Sequence, residues 1–174
     1  IENGARKPVS AAIRKNIQGD IPYIGATGVI DYLNSYTHNG RYLLVGEDGA
    51  NLLTKAKDLA FILEGKMWVN NHAHVLKEKE GVVLDFIKIV INAMNLSLWI
   101  TGSAQPKLTQ RALRVLPIPD YPTNAQKEIV KRVENLFAIA DQIESKIKNA
   151  QERVNLLTQS ILAKAFRGEF TAKW

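Results

Sequence analysis

Cysteine is absent from the 174 residues of the chain. Its absence excludes disulfides, cysteine-based zinc sites and thiol catalysis, and it agrees with a reducing cytoplasm. Long apolar runs are absent as well, because the longest uncharged stretch, residues 89–106, contains asparagine, serine and threonine side chains that are costly in hydrocarbon. We therefore expect neither a membrane-spanning segment nor a secretory signal.

Proline and glycine are scarce in the last third of the chain. Residues 1–122 hold ten of the 11 glycines and all six prolines, whereas residues 123–174 hold one glycine and no proline. Three of the prolines fall within 117–122, where they prevent a continuous helix. The sequence therefore predicts two domains, 1–122 and 123–174. The first residue is Ile1 rather than methionine, which fits a piece of a longer protein.

The second region has the spacing of a coiled-coil helix. Ten apolar residues follow one another at alternating intervals of four and three, a mean period of 3.5. Thr123 and Gln126 form a capping-box pattern at the start, and Arg167 followed by Gly168 marks the end. The predicted coiled-coil seam consists of Ile129, Val133, Leu136, Ala140, Ile143, Ile147, Ala150, Val154, Leu157 and Ile161.

A helix of about 43 residues, at a rise of about 1.5 Å per residue, measures roughly 65 Å. A compact domain of about 120 residues has a diameter of only about 30–35 Å, so at least half of the apolar stripe needs another helix as its partner. The alternative is a helix that folds back over its own domain. Ala140 and Ala150 allow close helix approach but contribute less apolar burial than leucine would.

The first region has the pattern of an α+β fold in which a curved sheet packs against helices. The sequence predicts turns at 26–28 and 38–40, where Asn39-Gly40 favours a hairpin. Apolar residues at near-helical spacing predict a helix over 84–94. Runs rich in β-branched and aromatic residues predict strands at 21–24, 42–45, 68–69 with 72–76, and 113–118.

Catalytic patterns are weak. His72 and His74 would share one face of a strand, as a metal site requires, but a third ligand must come from elsewhere. The alternative is two histidines that are hydrogen-bonded or exposed. Asp48 with Glu64 and Lys66 resembles a magnesium-dependent nuclease triad, which stays open as an alternative function. We otherwise predict no catalytic residue, metal site or cofactor in this chain.

Residue patterns suited to nucleic-acid binding are more numerous than catalytic ones. The 23 Lys and Arg exceed the 17 Asp and Glu, and the net charge of +6 favours a polyanionic partner. The segment 32–42, YLNSYTHNGRY, mixes aromatic rings with amides and a guanidinium, which suits contacts to base edges and phosphates. The alternative for this segment is an ordinary polar hairpin tip. A basic N-terminal cluster suits phosphate contact, with a solvated face as its alternative, and consists of Arg6, Lys7, Arg14 and Lys15. The candidate DNA contacts are Arg14, Lys15, Tyr32, Tyr36, His38, Asn39, Arg41, Asn71 and Lys107.

A series of segments in this order resembles one half of the DNA-sequence specificity subunit of type I restriction–modification enzymes. The segments span residues 19 to 170. They read GDIPYIGATGVID (19–31), LLVGEDGANL (43–52), MWVNNHAHVLK (67–77), TGSAQPKLTQRAL (101–113), VLPIPDYPTNAQKEIVKRVENLFAIADQIE (115–144) and SILAKAFRGEF (160–170).

The resemblance implies a cytoplasmic prokaryotic protein whose first domain reads one half of a split double-stranded DNA target. It also implies that the long helix pairs antiparallel with a second specificity half or a second copy. Methylation and cleavage would belong to separate methyltransferase and restriction subunits, which hold the cofactors. The chain departs from the family at the helix entry, with Tyr121-Pro122 in place of Pro-Pro and Ala125-Gln126 in place of Glu-Gln. The alternative is a purely structural role, in which the chain is a coiled-coil assembly module that does not bind DNA.

Overall fold

The computed structural model describes residues 1–170. The chain divides into two compact units, residues 1–130 and 131–174. The strands are β1 (Gln18–Gly25), β2 (Gly28–Leu33), β3 (His38–Gly46), β4 (Ala60–Val69) and β5 (Ala73–Lys77). The helices are α1 (Ala11–Arg14), α2 (Asn51–Thr54), α3 (Leu84–Ala93), α4 (Gln110–Arg114) and α5 (Thr123–Phe166).

The five strands form one mixed sheet in the order β2-β1-β4-β3-β5. β3 and β4 pair antiparallel over eight residues, from His38 opposite Met67 to Val45 opposite Ala60. β1 joins β4 in parallel, with Tyr23 opposite Trp68. With the helices that accompany it, this sheet confirms the predicted α+β class.

The core is built on both faces of the sheet. Because side chains alternate along a strand, Leu43 and Val45 lie on one face of β3, where they join the buried cluster that includes Leu84 and Ile91 of α3. The opposite face carries a second buried cluster, which consists of Ile24, Tyr42, Leu44, Met67, Val69, Ala73 and Val75.

Two local predictions for the first region are wrong. Residues 113–118 form no strand, because Thr109 accepts a hydrogen bond from the Ala112 amide and starts α4. Residues 38–40 form no turn, because β3 already begins at His38; residues 34–37 cross from β2 to β3, which run in the same direction. The predicted turn at 26–28 connects β1 to β2, and the predicted helix at 84–94 is α3; both are confirmed.

Helix α5 has 44 residues and a length of about 66 Å. Its end is a Schellman motif: the Glu169 amide donates to the Lys164 carbonyl, and the Gly168 amide donates to that of Ala165. Gly168 has a φ of 74°, which glycine adopts without steric cost. The predicted long helix and its glycine stop are confirmed.

The predicted capping box at the start of α5 is wrong. Gln126 is buried, and its side-chain amide donates to the carbonyls of Gly81 and Tyr121 while its oxygen accepts from the Val83 amide. The Thr123 hydroxyl also donates to Gly81 rather than accepting from the helix. Gln126 therefore fastens the first turn of α5 to the segment before α3.

We expect Gln126→Ala to lower the free energy of unfolding by about 1–3 kcal/mol, because backbone groups of residues 81–83 lose their partner. Urea unfolding measures this. Gln142→Ala, an exposed position on the same helix, serves as the control and should change stability by less than about 0.5 kcal/mol. Equal effects of the two substitutions would contradict the anchoring role.

The two histidines of the H-x-H pattern lie in different surroundings. His72 is exposed and pairs with Asp48 at 2.7 Å. His74 is fully buried; its Nε2 lies 2.7 Å from the Leu108 carbonyl oxygen, and its Nδ1 lies 3.0 Å from the Asn3 side-chain nitrogen. Donation to Leu108 and acceptance from Asn3 require a neutral ring, and burial lowers the pKa of His74 below its usual 6.5. His74 is thus a structural residue, in line with the alternative considered for this pattern.

Burial also lowers the pKa of His38, so both histidines make stability depend on pH in the same direction. Below about pH 6.5 the unfolded chain takes up protons that the folded chain does not, and folding stability falls as pH falls. The slope contributed by each histidine is at most about 1.4 kcal/mol per pH unit. In His74→Gln the slope between pH 7.5 and 5 should be smaller than in the wild type, measured by urea unfolding at each pH. An unchanged slope would exclude this role of His74.

Candidate functional site

The nine predicted DNA contacts are in three kinds of surroundings. Three form ion pairs with N–O distances of 2.7 Å, 2.7 Å and 3.1 Å: Arg14 with Asp31, Arg41 with Asp85, and Lys107 with Glu47. One, His38, is buried. The exposed ones are Lys15, Tyr32, Tyr36, Asn39 and Asn71.

The structure excludes His38 from the predicted DNA contacts. Its side chain packs edge-on against Tyr42 at 5.5 Å, and its Nδ1 lies 2.8 Å from the Thr37 hydroxyl. The ring is on the face of β3 that carries the buried Tyr42 and Leu44, and strand alternation sends its neighbour Asn39 to the opposite face. The prediction that His38 reads a base edge is therefore not compatible with this structure.

Arg14, Arg41 and Lys107 hold elements of the fold together. The Arg14 guanidinium lies between β2 and the N-terminal segment, since it also donates to the Val9 carbonyl. This guanidinium holds the pKa of Asp31 below its ordinary value. The Arg41–Asp85 pair joins β3 to the first turn of α3. Lys107 and Arg6 both bind Glu47; burial raises the pKa of this carboxyl, but the hydrogen bonds from the two cations outweigh burial and lower it.

An exposed cluster remains at the end of the sheet where β3 begins and β4 ends. Asn39 lies opposite Lys66 in the β3–β4 register, so the two side chains share a face. The Lys66 ammonium lies 5.2 Å from the centre of the Tyr36 ring, within cation–π range. The segment carrying Tyr36 is fixed to β4, because the Thr37 amide donates to the Met67 carbonyl.

A second lysine, Lys7, lies over the next residue on the same face of β4, which is Trp68. Trp68 follows Lys66 by two residues along β4, and the Lys7 ammonium lies 6.0 Å from its ring centre. The Trp68 ring is buried and held by a hydrogen bond from its Nε1 to the Lys7 carbonyl. We call Lys7, Tyr36, Asn39, Lys66 and Trp68 the lysine–aromatic surface.

The two lysines of this surface keep their charge unneutralised. Within residues 1–170, neither Lys7 nor Lys66 has a carboxylate within ion-pair distance. Free ammonium groups bind phosphates, and an exposed amide can donate to and accept from a base edge. Sequence reasoning missed Lys66 as a nucleic-acid contact, although the alternation of exposed and buried residues along β4 could have pointed to it. Lys7 belongs to the basic N-terminal cluster that the sequence offers for phosphate contact.

The predicted nuclease triad is not assembled. Glu64 and Lys66 lie on β4, with Glu64 opposite Arg41, whereas Asp48 follows the other end of β3. Seven residues separate positions 41 and 48, which corresponds to about 20 Å along a strand. In the described part of the chain, no group of three or more acidic or histidine side chains could hold a metal ion. The interpretation as a metal-dependent nuclease is therefore wrong.

The seam of α5 is exposed along most of its length. In the second unit the large seam residues Leu136, Ile143, Ile147, Val154, Leu157 and Ile161 are between 47% and 66% exposed. No helix within residues 1–170 is both long and apolar enough to cross a membrane. The exposure of its apolar residues makes the stripe a candidate surface for another protein helix.

A family model described as the type I restriction modification DNA specificity domain matches residues 1–153. S.HindORF215P of Haemophilus influenzae, named as a type I restriction enzyme specificity subunit, is 38% identical over 82% of this chain and 36% of its own length. The EcoDI specificity subunit of Escherichia coli is 61% identical over 40% of this chain and 16% of its own length. The chain thus spans about a third of the first relative's length.

The fold also has a solved counterpart. A chain from a structure on complex assembly and conformational transition of the type I R-M system superposes with a TM-score of 0.72 at 14% identity, covering 94% of this chain and 43% of that one. At this identity the match supports the fold alone. The family match extends over most of the chain and confirms the resemblance found in the sequence. The chain belongs to the type I restriction modification DNA specificity domain family.

Proposed function

We propose that this chain reads one half of a split double-stranded DNA target through the lysine–aromatic surface. The observation that carries the proposal is the pair of unneutralised lysines beside an exposed amide on a domain of the DNA specificity family. Lysines that contact phosphates supply affinity and register, whereas the amide of Asn39 can distinguish base edges. Tyr32 and Lys15 are exposed and stay predicted DNA contacts outside this surface; Tyr32 lies opposite Pro22 and so points away from the face of Tyr23 and Trp68.

The chain does not carry out a reaction itself in this proposal. It is the part that selects the sequence, and separate methyltransferase and restriction subunits modify and cleave the DNA. Those subunits would hold S-adenosylmethionine, ATP and magnesium.

The exposed seam of α5 is proposed to pair with the corresponding helix of a second specificity half. Ten apolar residues at a period of 3.5 supply an interface of the coiled-coil kind. Such a pair would connect two DNA-reading domains and fix the distance between two half-sites.

We expect Lys66→Ala to weaken DNA binding and to reduce the slope of log K against log salt concentration by about 0.9, the value for one lost phosphate contact. Fluorescence anisotropy with a mixed-sequence duplex measures both, for the chain alone and with its methyltransferase subunit. Lys57→Ala removes the same charge from an exposed site before the opposite end of β4. If the two variants bind DNA equally well, the chain is better described as an assembly module.

Ile143→Asp combined with Ile147→Asp should give a monomer in sedimentation velocity, because two charges would enter a desolvated interface at a cost of several kcal/mol. Ser145→Asp with Asn149→Asp adds the same two charges at the same spacing but off the seam, and should leave pairing intact. A paired species that persists in the seam variant would contradict association through the seam.

A further inference from the structure

Residues 38–41 and 64–67 form a two-stranded ribbon at one end of the sheet. The pairing of β1 with β4 begins only at Trp68, and the pairing of β5 with β3 begins only at Tyr42. Within residues 1–170, no further strand pairs with either segment of the ribbon. A two-stranded ribbon fits the major groove of B-DNA, which is about 12 Å wide. The ribbon is therefore the part of the sheet that can enter a groove.

One face of the ribbon carries two polar side chains that have no partner in the protein. Asn39 lies opposite Lys66, and Arg41 lies opposite Glu64, so strand alternation places all four on one face. The Arg41 guanidinium is paired with Asp85. In the described part of the chain, the exposed side chains of Asn39 and Glu64 make neither a hydrogen bond nor an ion pair. Their amide and carboxylate groups are therefore available to a ligand.

The opposite face of the ribbon is bare at its centre, where Gly40 faces Gly65. Their φ angles are 142° and 97°, in the region that glycine adopts without steric cost. A Cβ on Gly65 would point into open space, with no heavy atom of a non-neighbouring described residue within 4 Å. Glycine within a strand marks a place where another backbone can approach closely. The ribbon is thus thin at the height of the polar side chains.

We infer that this ribbon lies in the DNA major groove, where Asn39 reads an adenine and Glu64 reads a cytosine. A side-chain amide can accept from adenine N6 and donate to adenine N7. A carboxylate can only accept, so it suits the N4 amino group of cytosine, whereas the O6 and N7 acceptors of guanine repel it. This inference rests on the proposed function and adds the bases that the surface selects.

The carboxylate of Glu64 carries the inference because it opposes general DNA binding. A negative charge on this face weakens the attraction of Lys66 to phosphates, and it gains an interaction only where a base presents a donor. Glu64 therefore acts mainly by rejecting bases that present acceptors, which is how specificity arises from a repulsive element.

The spacing of the two side chains fits the spacing of base pairs. Asn39 and Glu64 are diagonal neighbours across the β3–β4 pair, and such neighbours are about 7–8 Å apart. Successive bases of one DNA strand are about 3.4 Å apart along the helix axis. The adenine and the cytosine should therefore lie about two base pairs from each other.

Selection of duplexes from a random-sequence pool tests the inference, with the chain bound to its methyltransferase subunit. Glu64→Gln keeps the size of the side chain and removes its charge, so the preference for cytosine at one position should fall at least about fivefold. Asn39→Asp should lower the preference for adenine by a similar factor, about two positions away. Glu80→Gln changes an exposed carboxylate that follows β5, outside the ribbon, and should select the wild-type sequence.

The possible failures of the inference and of the proposed function are distinguishable. If the wild-type complex enriches one sequence and Glu64→Gln enriches the same sequence, the inference is overturned while the proposed function stands. Uniform loss of preference at every position in Glu64→Gln, or an Asn39→Asp effect at a position unrelated to that of Glu64, also overturns it. If the wild-type complex enriches no sequence, the proposed function itself fails.

Discussion

The register between β3 and β4 determines most of what this domain presents. Its eight paired residues place Leu43 and Val45 under α3 on one face. A shift by one residue would turn these side chains to the other face of the sheet and expose them. The same register sets Asn39 opposite Lys66 beyond the first turn of α3, where no buried side chain covers them. The packing of the core and the position of the lysine–aromatic surface therefore both follow from the pairing of β3 with β4.

The ion pairs divide the basic side chains discussed above into two groups. Arg6, Arg14 and Arg41 each neutralise a carboxylate while joining strands to the N-terminal segment or to α3. Lys7 and Lys66 lie against aromatic rings, which orient an ammonium group without cancelling its charge. The arginines near the sheet thus stabilise the fold, and these two lysines remain available to a polyanion.

Features determined by local spacing could be predicted from the sequence. The long helix, its stop at Gly168 and the helix at 84–94 follow from periodicity and from the backbone freedom of glycine. Residues 113–118 misled the prediction because their apolar character suits a strand as well as the end of α4 and its following loop. The first half of β4 was missed because it pairs with β3, which is distant in sequence, and β2 was missed although it pairs with β1 directly before it.

The site was predicted less well than the fold. Aromatic and amide residues in 32–42 pointed to the surface that we propose, since Tyr36 and Asn39 lie on it, but His38 is buried and Arg41 is paired with Asp85. Lys66 was assigned to a nuclease pattern that the sheet does not assemble. Its role depends on the 34–37 segment meeting the end of β4, and Gln126 likewise depends on a partner about 45 residues away. Contacts of this kind arise from tertiary structure, which spacing does not encode.

The central claim is that the surface around Tyr36 contacts DNA. Photo-cross-linking tests it most directly, with benzoylphenylalanine in place of Tyr36 and, in a second variant, in place of Leu53, which is 57% exposed on α2 beyond the other end of β3. With a mixed-sequence duplex at low salt, the probe at position 36 should cross-link to DNA and the probe at position 53 should not. Cross-linking confined to position 53, or equal at both positions, would contradict the account.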